Sequence, residues 1–176
     1  MKLGVMCSGN GTNFENIVRT CRKDEVVLMI TNKKKCGAIK RANKFGIPHC
    51  FIEHEDEDLM IMTLKAMDVD LIILAGYMRI LSKKFVHSFD KIINVHPSLL
   101  PKYKGLNTHE RAIKNKDRFA GASIHKVTEK LDSGKVILQK KVKILKSDNV
   151  KSLEKKVLKI EHEIYPKAID KFLTNL

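Results

Sequence analysis

The stretch KLGVMCSGNGTNFENIVRT, residues 2–20, contains an apolar run, a pair of glycines and a helical pattern in immediate succession. The run KLGVMCS is typical of a short buried strand. Apolar residues at Phe14, Ile17 and Val18 then follow the spacing of one helix face. A strand that leads through a tight turn into a helix is the first half of a βαβ unit, so this stretch favours an α/β fold.

The same alternation continues along the first half of the chain. Further strands are predicted at EVVLMITN, IPHCFI, VDLIILAGYM and KIINVH, and helices at GAIKRANKFG and LMIMTLKAM. Because these strands are apolar along nearly their whole length, we expect a parallel sheet that helices cover on both faces.

The pattern changes in the C-terminal part. A helix is predicted near THERAIKNK, and AGASIHKV and KVILQKKVKI alternate with a period of two, which predicts half-exposed, antiparallel strands. The amphipathic segment SLEKKVLKIEHEIYPKAIDKFL predicts a closing helix that Pro166 kinks or splits. The sequence therefore predicts a single α/β domain with a Rossmann-like, mostly parallel twisted sheet, flanked by helices and carrying antiparallel strands in its C-terminal part.

The composition is that of a globular domain with a strongly basic balance. The chain has 176 residues and a formal net charge of +14. A basic face for nucleic acid or anionic small molecules is one interpretation, and lysines spread over a solvated surface are another. We favour the second, because no aromatic residues alternate with the lysines. The four cysteines lack C-x-x-C spacing, which predicts reduced thiols and a cytoplasmic location. No signal peptide or membrane-length apolar run is visible.

The glycine turn, residues 8–13, is a candidate anion site. Thr12 and Glu15 fit a capping box, so we expect the helix to begin close to Thr12. A dinucleotide fingerprint would need glycine where Phe14 stands, and the Gly-Lys-Ser/Thr of a P-loop is absent. Two interpretations remain, a turn that binds nothing and a site for one terminal phosphate. The N–H groups that would hold the phosphate belong to Gly11, Thr12 and Asn13.

Polar residues follow the fifth predicted strand. Asn94 and His96 are two residues apart, so they face the same side of the strand, and Pro97 keeps His96 extended. An amide and an imidazole at the carboxyl end of a parallel sheet could bind an oxyanion. A packed strand-end histidine is the alternative. Asp132, in the turn of LDSGK, is a third candidate, although such an aspartate commonly only forms the turn.

Five stretches together resemble the folate-dependent formyltransferases, and most closely their glycinamide ribonucleotide branch. They are SGNGTN, LAGYMRIL, NVHPSLLPKYKGLNTHERAI, LDSGKVILQ and EHEIYP. The resemblance implies transfer of the formyl group from 10-formyltetrahydrofolate to the amine of glycinamide ribonucleotide (GAR). The products are formyl-GAR and tetrahydrofolate, in de novo purine (IMP) biosynthesis. It further implies a cytoplasmic enzyme, monomeric or homodimeric, with small-molecule substrates and without metal, nucleic acid or membrane partners.

The resemblance also assigns roles to individual residues, with a phosphate-binding half at 1–90 and a catalytic and folate-binding half at 91–176. The implied catalytic residues are Asn94, His96 and Asp132. The implied GAR-binding residues are Gly11, Thr12, Asn13, Leu158 and Glu161. The implied folate-binding residues are Met78, Arg79, Ile80, Leu81, Asn94, Thr128, Glu129, Lys130, Leu131 and Asp132. Two positions depart from the family: Leu158 replaces a polar residue, and EHEDED, residues 53–58, offers acids where an arginine is common. His109 and His125 are expected to be structural or supporting residues.

Three rival functions remain to be separated. A methionyl-tRNA formyltransferase is expected to have a C-terminal RNA-binding domain, and a formyltetrahydrofolate hydrolase an extra N-terminal domain. Neither domain is expected in 176 residues. A basic nucleic-acid-binding module without catalysis predicts RNA binding that collapses with salt.

Overall fold

The computed structural model describes residues 1–21 and 25–174, with only the backbone of Leu173. The chain divides into two compact units, Met1–Asn94 and Val95–Leu176, called unit 1 and unit 2 below. The four cysteines all lie in unit 1 and are not joined by disulfide bonds. No helix in the described part of the chain is both long and apolar enough to cross a membrane.

Unit 1 is built on parallel strands. Its elements are β1 (Leu3–Met6), α1 (Thr12–Thr20), β2 (Val26–Thr31), α2 (Gly37–Phe45), β3 (His49–Phe51), α3 (Glu57–Ala66), β4 (Leu71–Leu74), α4 (Lys83–His87) and the start of β5 (Ile92–His96). The strand order is β3-β2-β1-β4-β5, and the neighbouring strands run parallel. Every residue of β1 and β4 is buried, as their apolar sequences predict. The connections change direction between β1 and β4, and ligands of such sheets bind beyond the carboxyl ends of the strands at this point.

Unit 2 contains the end of β5 and the antiparallel strands. Its other elements are α5 (Thr108–Lys114), β6 (Phe119–Lys126), β7 (Val136–Lys143) and α6 (Val150–Thr174). Here the strand order is β5-β6-β7, with Ala122 opposite Lys140 in the antiparallel pair. α6 packs against both β6 and β7. A mostly parallel sheet that ends in antiparallel strands and is flanked by helices confirms the predicted fold class.

In unit 2 the predicted half-exposure of β6 was wrong, and so was one of the two alternatives predicted for Pro166. β7 is half-exposed as predicted, but β6 is buried at six successive positions, residues 120–125. The reason is that β6 is an interior strand with small residues: α6 packs against it, and a Cβ at Gly121 would lie 2.6 Å from Leu99. In addition, Pro166 does not split the closing helix, since α6 is continuous from Val150 to Thr174. A kink at Pro166 stays a prediction. Buried residues on both sides of the proline, among them Tyr165 and Ala168, keep the two parts in one packed helix.

Two local features of unit 1 also differ from expectation. α1 begins at Thr12 as predicted, but its N-cap is Gly11 and no side chain caps it. Glu15 does not complete a capping box, because it pairs with the guanidinium groups of Arg19 and Arg41. The short helix α4 had no prediction, although Ser82 caps it by accepting a hydrogen bond from the Phe85 N–H.

Candidate active site

The glycine turn of unit 1 connects β1 directly to the N-terminus of α1. Gly11 has φ 73° and ψ 27°, in the left-handed region that suits glycine. A Cβ at Gly11 would also lie 2.7 Å from the Ala38 Cα, so no larger residue fits there. N–H groups in the first turn of a helix have no intrahelical acceptors, and the helix dipole favours an anion beside them. The turn therefore has the geometry of a phosphate site.

Ser8 joins the glycine turn to the segment that follows β4. Its hydroxyl donates to Asn32 Oδ1 at 2.7 Å and accepts from the Met78 N–H at 3.0 Å. Its own N–H donates to the Gly76 carbonyl at 3.1 Å. The predicted phosphate turn and the predicted folate segment, residues 78–81, consequently lie side by side within unit 1.

The segment 78–81 presents apolar side chains to solvent. Met78 and Ile80 are 70% and 68% exposed, Arg79 is exposed, and Leu81 is buried. Large exposed apolar side chains clustered beside a ligand-binding sheet edge are typical of a contact surface for an apolar ligand. This surface is suited to an aromatic ring system such as a pterin.

Strand β5 carries Asn94 and His96. Asn94 is half-buried and is the last residue of unit 1, whereas His96 is only 6% exposed and belongs to unit 2. Alternate residues of a strand point to the same side, so the amide and the imidazole leave β5 in the same direction.

In unit 2, His96 contacts Asp132, although the two residues are 36 positions apart in the sequence. The His96 Nδ1 lies 3.3 Å from Asp132 Oδ2, and both side chains are less than a tenth exposed. Asp132 has φ 45°, in the left-handed region, and its Oδ2 also accepts a hydrogen bond from the Gly105 N–H at 2.9 Å. The aspartate therefore has a second role besides forming its own turn.

Both ring nitrogens of His96 face oxygen acceptors. The Nε2 lies 2.8 Å from the Tyr103 carbonyl, and the Nδ1 faces the Asp132 carboxylate. A neutral imidazole has only one N–H, whereas an imidazolium donates from both nitrogens. The surroundings of His96 are thus complementary to the charged ring.

The side chain of Tyr103 holds its carbonyl in this position. Its hydroxyl donates to Asp117 Oδ2 at 2.7 Å and accepts from Asn115 Nδ2 at 2.8 Å. The Arg111 guanidinium lies 4.9 Å from the centre of its ring. Tyr103 has φ 57°, which aromatic residues rarely adopt. These contacts offset the cost of that backbone conformation.

The pKa of Asp132 is held below the ordinary value of an aspartate. Burial alone would raise this pKa, but a hydrogen bond from the His125 ring, the Gly105 N–H and the nearby His96 ring together lower it. The carboxylate is therefore ionised at neutral pH and can balance a positive charge on a neighbouring imidazole.

His125 is a functional candidate that the sequence analysis placed only among structural or supporting residues. Its Nε2 lies 3.5 Å from Asp132 Oδ1, and its Nδ1 lies 2.8 Å from the Lys126 carbonyl. Asp132 thus lies between two imidazole rings. The position of His125 near the end of β6, directly before the loop that carries Asp132, is the sequence signal that could have identified it.

The remaining predicted residues of unit 2 lie on the loop after β6 and on α6. Leu131 is 50% exposed, and the three residues before it, Thr128, Glu129 and Lys130, are exposed. Leu158 and Glu161 are three residues apart on α6 and so share one helix face. Glu161 is buried at 8% exposure. Burial, with the nearby Glu161, raises the pKa of Tyr165 well above its ordinary value, against a backbone hydrogen bond with Val95.

No group of three or more histidine, cysteine or acidic residues suited to a metal ion occurs among residues 1–21 and 25–174. The buried groups that face the His96 ring are a backbone carbonyl and a carboxylate, which can accept hydrogen bonds and balance a positive charge. Such a site can stabilise an oxyanion and exchange protons with a nucleophile.

Comparison with known proteins identifies the class. The formyl transferase family matches residues 1–169, so the chain belongs to this family of enzymes. The chain is 38% identical over 97% of its length to the phosphoribosylglycinamide formyltransferase of Haemophilus influenzae, of which it covers 86%. The crystal structure of phosphoribosylglycinamide formyltransferase from Anaplasma phagocytophilum matches with a TM-score of 0.93 at 37% identity, over 96% of this chain and 84% of that one. The predicted resemblance to the glycinamide ribonucleotide branch is confirmed.

One further relative is a longer protein. The chain is 36% identical, over 96% of its length, to the trifunctional purine biosynthetic protein adenosine-3 of Gallus gallus, of which it spans 18%. The same formyltransferase-like segment therefore occurs both in proteins of similar length and as a part of a multifunctional one.

Proposed function

We propose that the chain transfers the formyl group of 10-formyltetrahydrofolate to the amine of GAR, giving formyl-GAR and tetrahydrofolate in purine biosynthesis. The observation that carries the proposal is the buried pair of His96 and Asp132, 3.3 Å apart, in a chain of the formyl transferase family. The family defines the transferred group, and the pair provides the charge and the proton acceptor that the transfer needs.

GAR is bound both at its phosphate and at its ribose hydroxyls. The N–H groups of Gly11, Thr12 and Asn13 bind the phosphate, and Glu161 accepts hydrogen bonds from the ribose hydroxyls. The left-handed Gly11 at the start of α1 supports the phosphate site. Leu158 contributes apolar contact where the resemblance implies a polar group, so Glu161 carries the polar recognition of the ribose.

The formyl donor is bound by two segments. Residues 78–81 contact the pterin, supported by the exposed side chains of Met78 and Ile80. The loop residues 128–132 offer backbone groups and Leu131. Arg79 and Lys130 are exposed cations on these two segments that can pair with an acidic folate tail, whereas residues 53–58 supply mainly acids. We therefore expect these two segments to contact the acidic tail of the folate as well as its pterin.

The reaction begins when the GAR amine attacks the formyl carbon and the carbonyl oxygen becomes an oxyanion. Asn94 donates an N–H of its amide to this oxygen. His96 stabilises the same charge as an imidazolium that is paired with the Asp132 carboxylate. The amine loses its proton through Asp132, directly or through water, and the N10 of the folate leaves and takes up a proton. The carbon–nitrogen bond to the folate breaks as the tetrahedral intermediate collapses.

His96 and Asn94 contribute differently in this scheme. Because the Tyr103 carbonyl already accepts from Nε2 and Asp132 faces Nδ1, His96 acts through its positive charge. Asn94 supplies the direct hydrogen bond. This division assigns charge stabilisation to the ring and orientation to the amide.

The reaction belongs in the cytoplasm, where the free cysteines of unit 1 remain reduced. Its partners are the two small molecules, and it runs in a monomer or a homodimer.

Mixing the protein with GAR and 10-formyltetrahydrofolate tests the proposal. Folate absorbance follows the donor, and mass spectrometry identifies formyl-GAR. Glycinamide riboside, which lacks the phosphate, is the matched control and is expected to react far more slowly at the same concentration. Release of free formate without formyl-GAR would replace the proposal with a hydrolase, and an unchanged donor would refute it.

A further inference from the structure

Helix α2 packs directly against the glycine turn of unit 1. The Ala38 N–H donates to the Gly9 carbonyl at 3.2 Å, and Arg41 Nε donates to the Asn10 carbonyl at 2.8 Å. A Cβ at Gly37 would lie 2.5 Å from Asn10 Oδ1 and 2.7 Å from the Asn10 carbonyl oxygen. Two consecutive carbonyls of the turn are therefore bound by one helix.

These two hydrogen bonds determine where the N–H groups of the turn point. In a trans peptide the C=O and the N–H point in opposite directions. Since the Asn10 carbonyl points at Arg41, the N–H of Gly11 points away from it. The Ala38 bond to Gly9 orients the Asn10 N–H in the same manner. α2 thus aligns successive N–H groups on the side of the turn away from α2.

Arg41 is itself held in place by Glu15 of α1. Its Nη1 pairs with Glu15 Oε2, and the two side chains are 28% and 15% exposed. Glu15 is fixed in turn, because its N–H donates to the Gly11 carbonyl at 2.9 Å. The guanidinium is therefore occupied by a backbone carbonyl and by a carboxylate, which Arg19 and Lys44 also contact. This arrangement fits a group that orients the turn and does not fit a group that binds the phosphate.

We infer that Arg41 is a positioning residue for the phosphate of GAR, acting through the Asn10 carbonyl to fix the Gly11 N–H. The inference rests on the proposed function. It predicts that losing the Arg41 bond weakens binding of the phosphate without altering formyl transfer itself.

Arg41→Lys and Arg19→Lys form a matched pair of variants. Both keep the positive charge, and both arginines contact Glu15, since Arg19 Nη2 lies 2.7 Å from Glu15 Oε1. Arg41 differs in its bond from Nε to the Asn10 carbonyl, which the shorter lysine cannot reproduce with a planar N–H fork. Arg41→Lys is expected to raise the KM for GAR about tenfold, the effect of one charge-assisted hydrogen bond. The KM for the folate and kcat should change little, and Arg19→Lys should resemble the parent.

A substrate without the phosphate distinguishes a loss of phosphate positioning from a general loss of activity. The preference of the parent for GAR over glycinamide riboside should fall about tenfold in Arg41→Lys, since only the phosphate uses the turn. Gly37→Ala provides a second variant, because its Cβ pushes on Asn10 from the same helix. It should raise the KM for GAR and leave the KM for the folate unchanged. Thermal unfolding verifies that each variant is folded.

The outcomes distinguish the two proposals. If the parent formylates GAR and Arg41→Lys keeps the parent KM and the parent preference, the role of Arg41 is refuted and the function stands. An equal rise of the GAR and riboside KM values would also refute it, since the defect would not concern the phosphate. A parent that does not formylate GAR refutes the proposed function itself.

Discussion

At the scale of single residues, the role proposed for His96 depends on a positive charge on its ring. An oxygen atom faces each ring nitrogen, the Tyr103 carbonyl at 2.8 Å from Nε2 and the ionised Asp132 at 3.3 Å from Nδ1. Under the proposed mechanism the two residues should be separable by experiment, because His96 carries a positive charge and Asp132 balances it.

Replacing His96 with alanine should lower kcat about 100-fold or more, since an oxyanion-stabilising group commonly contributes ~3 kcal/mol. Steady-state kinetics with saturating GAR and folate measures this effect, and circular dichroism checks the fold. His87→Ala is a suitable control because His87 is exposed on α4. A kcat within twofold of the parent would remove His96 from the mechanism.

Asp132→Asn should lower activity and change its pH dependence. Because the pKa of Asp132 is lowered, the parent should remain active as the pH falls, until Asp132 is protonated below the ordinary range of an aspartate. The variant has no carboxylate to protonate at this position, so that acid limb should disappear.

Profiles of kcat against pH measure whether the acid limb is lost in the variant. Asp170→Asn, an exposed aspartate of α6, is the control and should keep the parent profile. Identical profiles for Asp132→Asn and the parent would argue against the pairing.

The sequence was informative about some site residues and silent about others. Strand periodicity places Asn94 and His96 on the same side of β5. The role of Asp132 is predicted from the resemblance of its loop to a known family. The role of the Tyr103 carbonyl could not be predicted, because it depends on a left-handed backbone conformation and on side-chain contacts with Asp117. Backbone groups carry no side-chain signature, so sequence patterns do not reveal them.

At the scale of elements, α6 is the longest helix of the described chain, and its start is specified by a reciprocal cap. Asn149 Oδ1 accepts from the Ser152 N–H at 2.9 Å, and the Ser152 hydroxyl accepts from the Asn149 N–H at 3.0 Å. This is the geometry of a capping box. The strand and helix types of the chain were predictable from periodicity, whereas caps depend on single contacts such as these.

Asn149→Ala should lower the free energy of unfolding by about 1 kcal/mol, the usual effect of losing an N-cap side chain. Urea denaturation followed by circular dichroism measures this change. Lys151→Ala, at an exposed position of the same turn, should leave the denaturation midpoint nearly unchanged. Equal midpoints for Asn149→Ala and the parent would show that the cap does not limit the stability of α6.

At the scale of the whole molecule, strand types were predictable and strand order was not. An unbroken run of apolar residues indicates a parallel strand, as in β1 and β4, because such strands are buried on both faces. The order β3-β2-β1-β4-β5 reflects which strands pair across long connections, which local patterns do not encode. The burial of β6 was missed for the same reason, since it depends on neighbours distant in the sequence.

Acid should destabilise unit 2 through its carboxylates. A hydrogen bond from Lys156 lowers the pKa of Asp148 to about 2, assisted by the Leu145 N–H. A lowered pKa means that the ionised group stabilises the fold at pH values above about 4, the ordinary value. This contribution is lost as the pH falls through the folded value near 2.

Asp148→Asn tests this contribution. The urea midpoint of the variant should lie below that of the parent at pH 6, and the difference should narrow as the pH is lowered toward 3. A difference that stays constant between pH 6 and pH 3 would mean that the charge of Asp148 does not contribute to stability.

The single hydroxyl of Ser8 has a consequence for the order in which ligands act. It binds the Met78 N–H while its own residue lies at the start of the glycine turn, so the two loops share one anchor. A ligand that immobilises one loop also restricts the other, and the entropy lost in that step is not lost again when the second ligand arrives. Under the proposed reaction, nucleotide and folate would bind with positive cooperativity, and by thermodynamic reciprocity each would strengthen the other by the same factor.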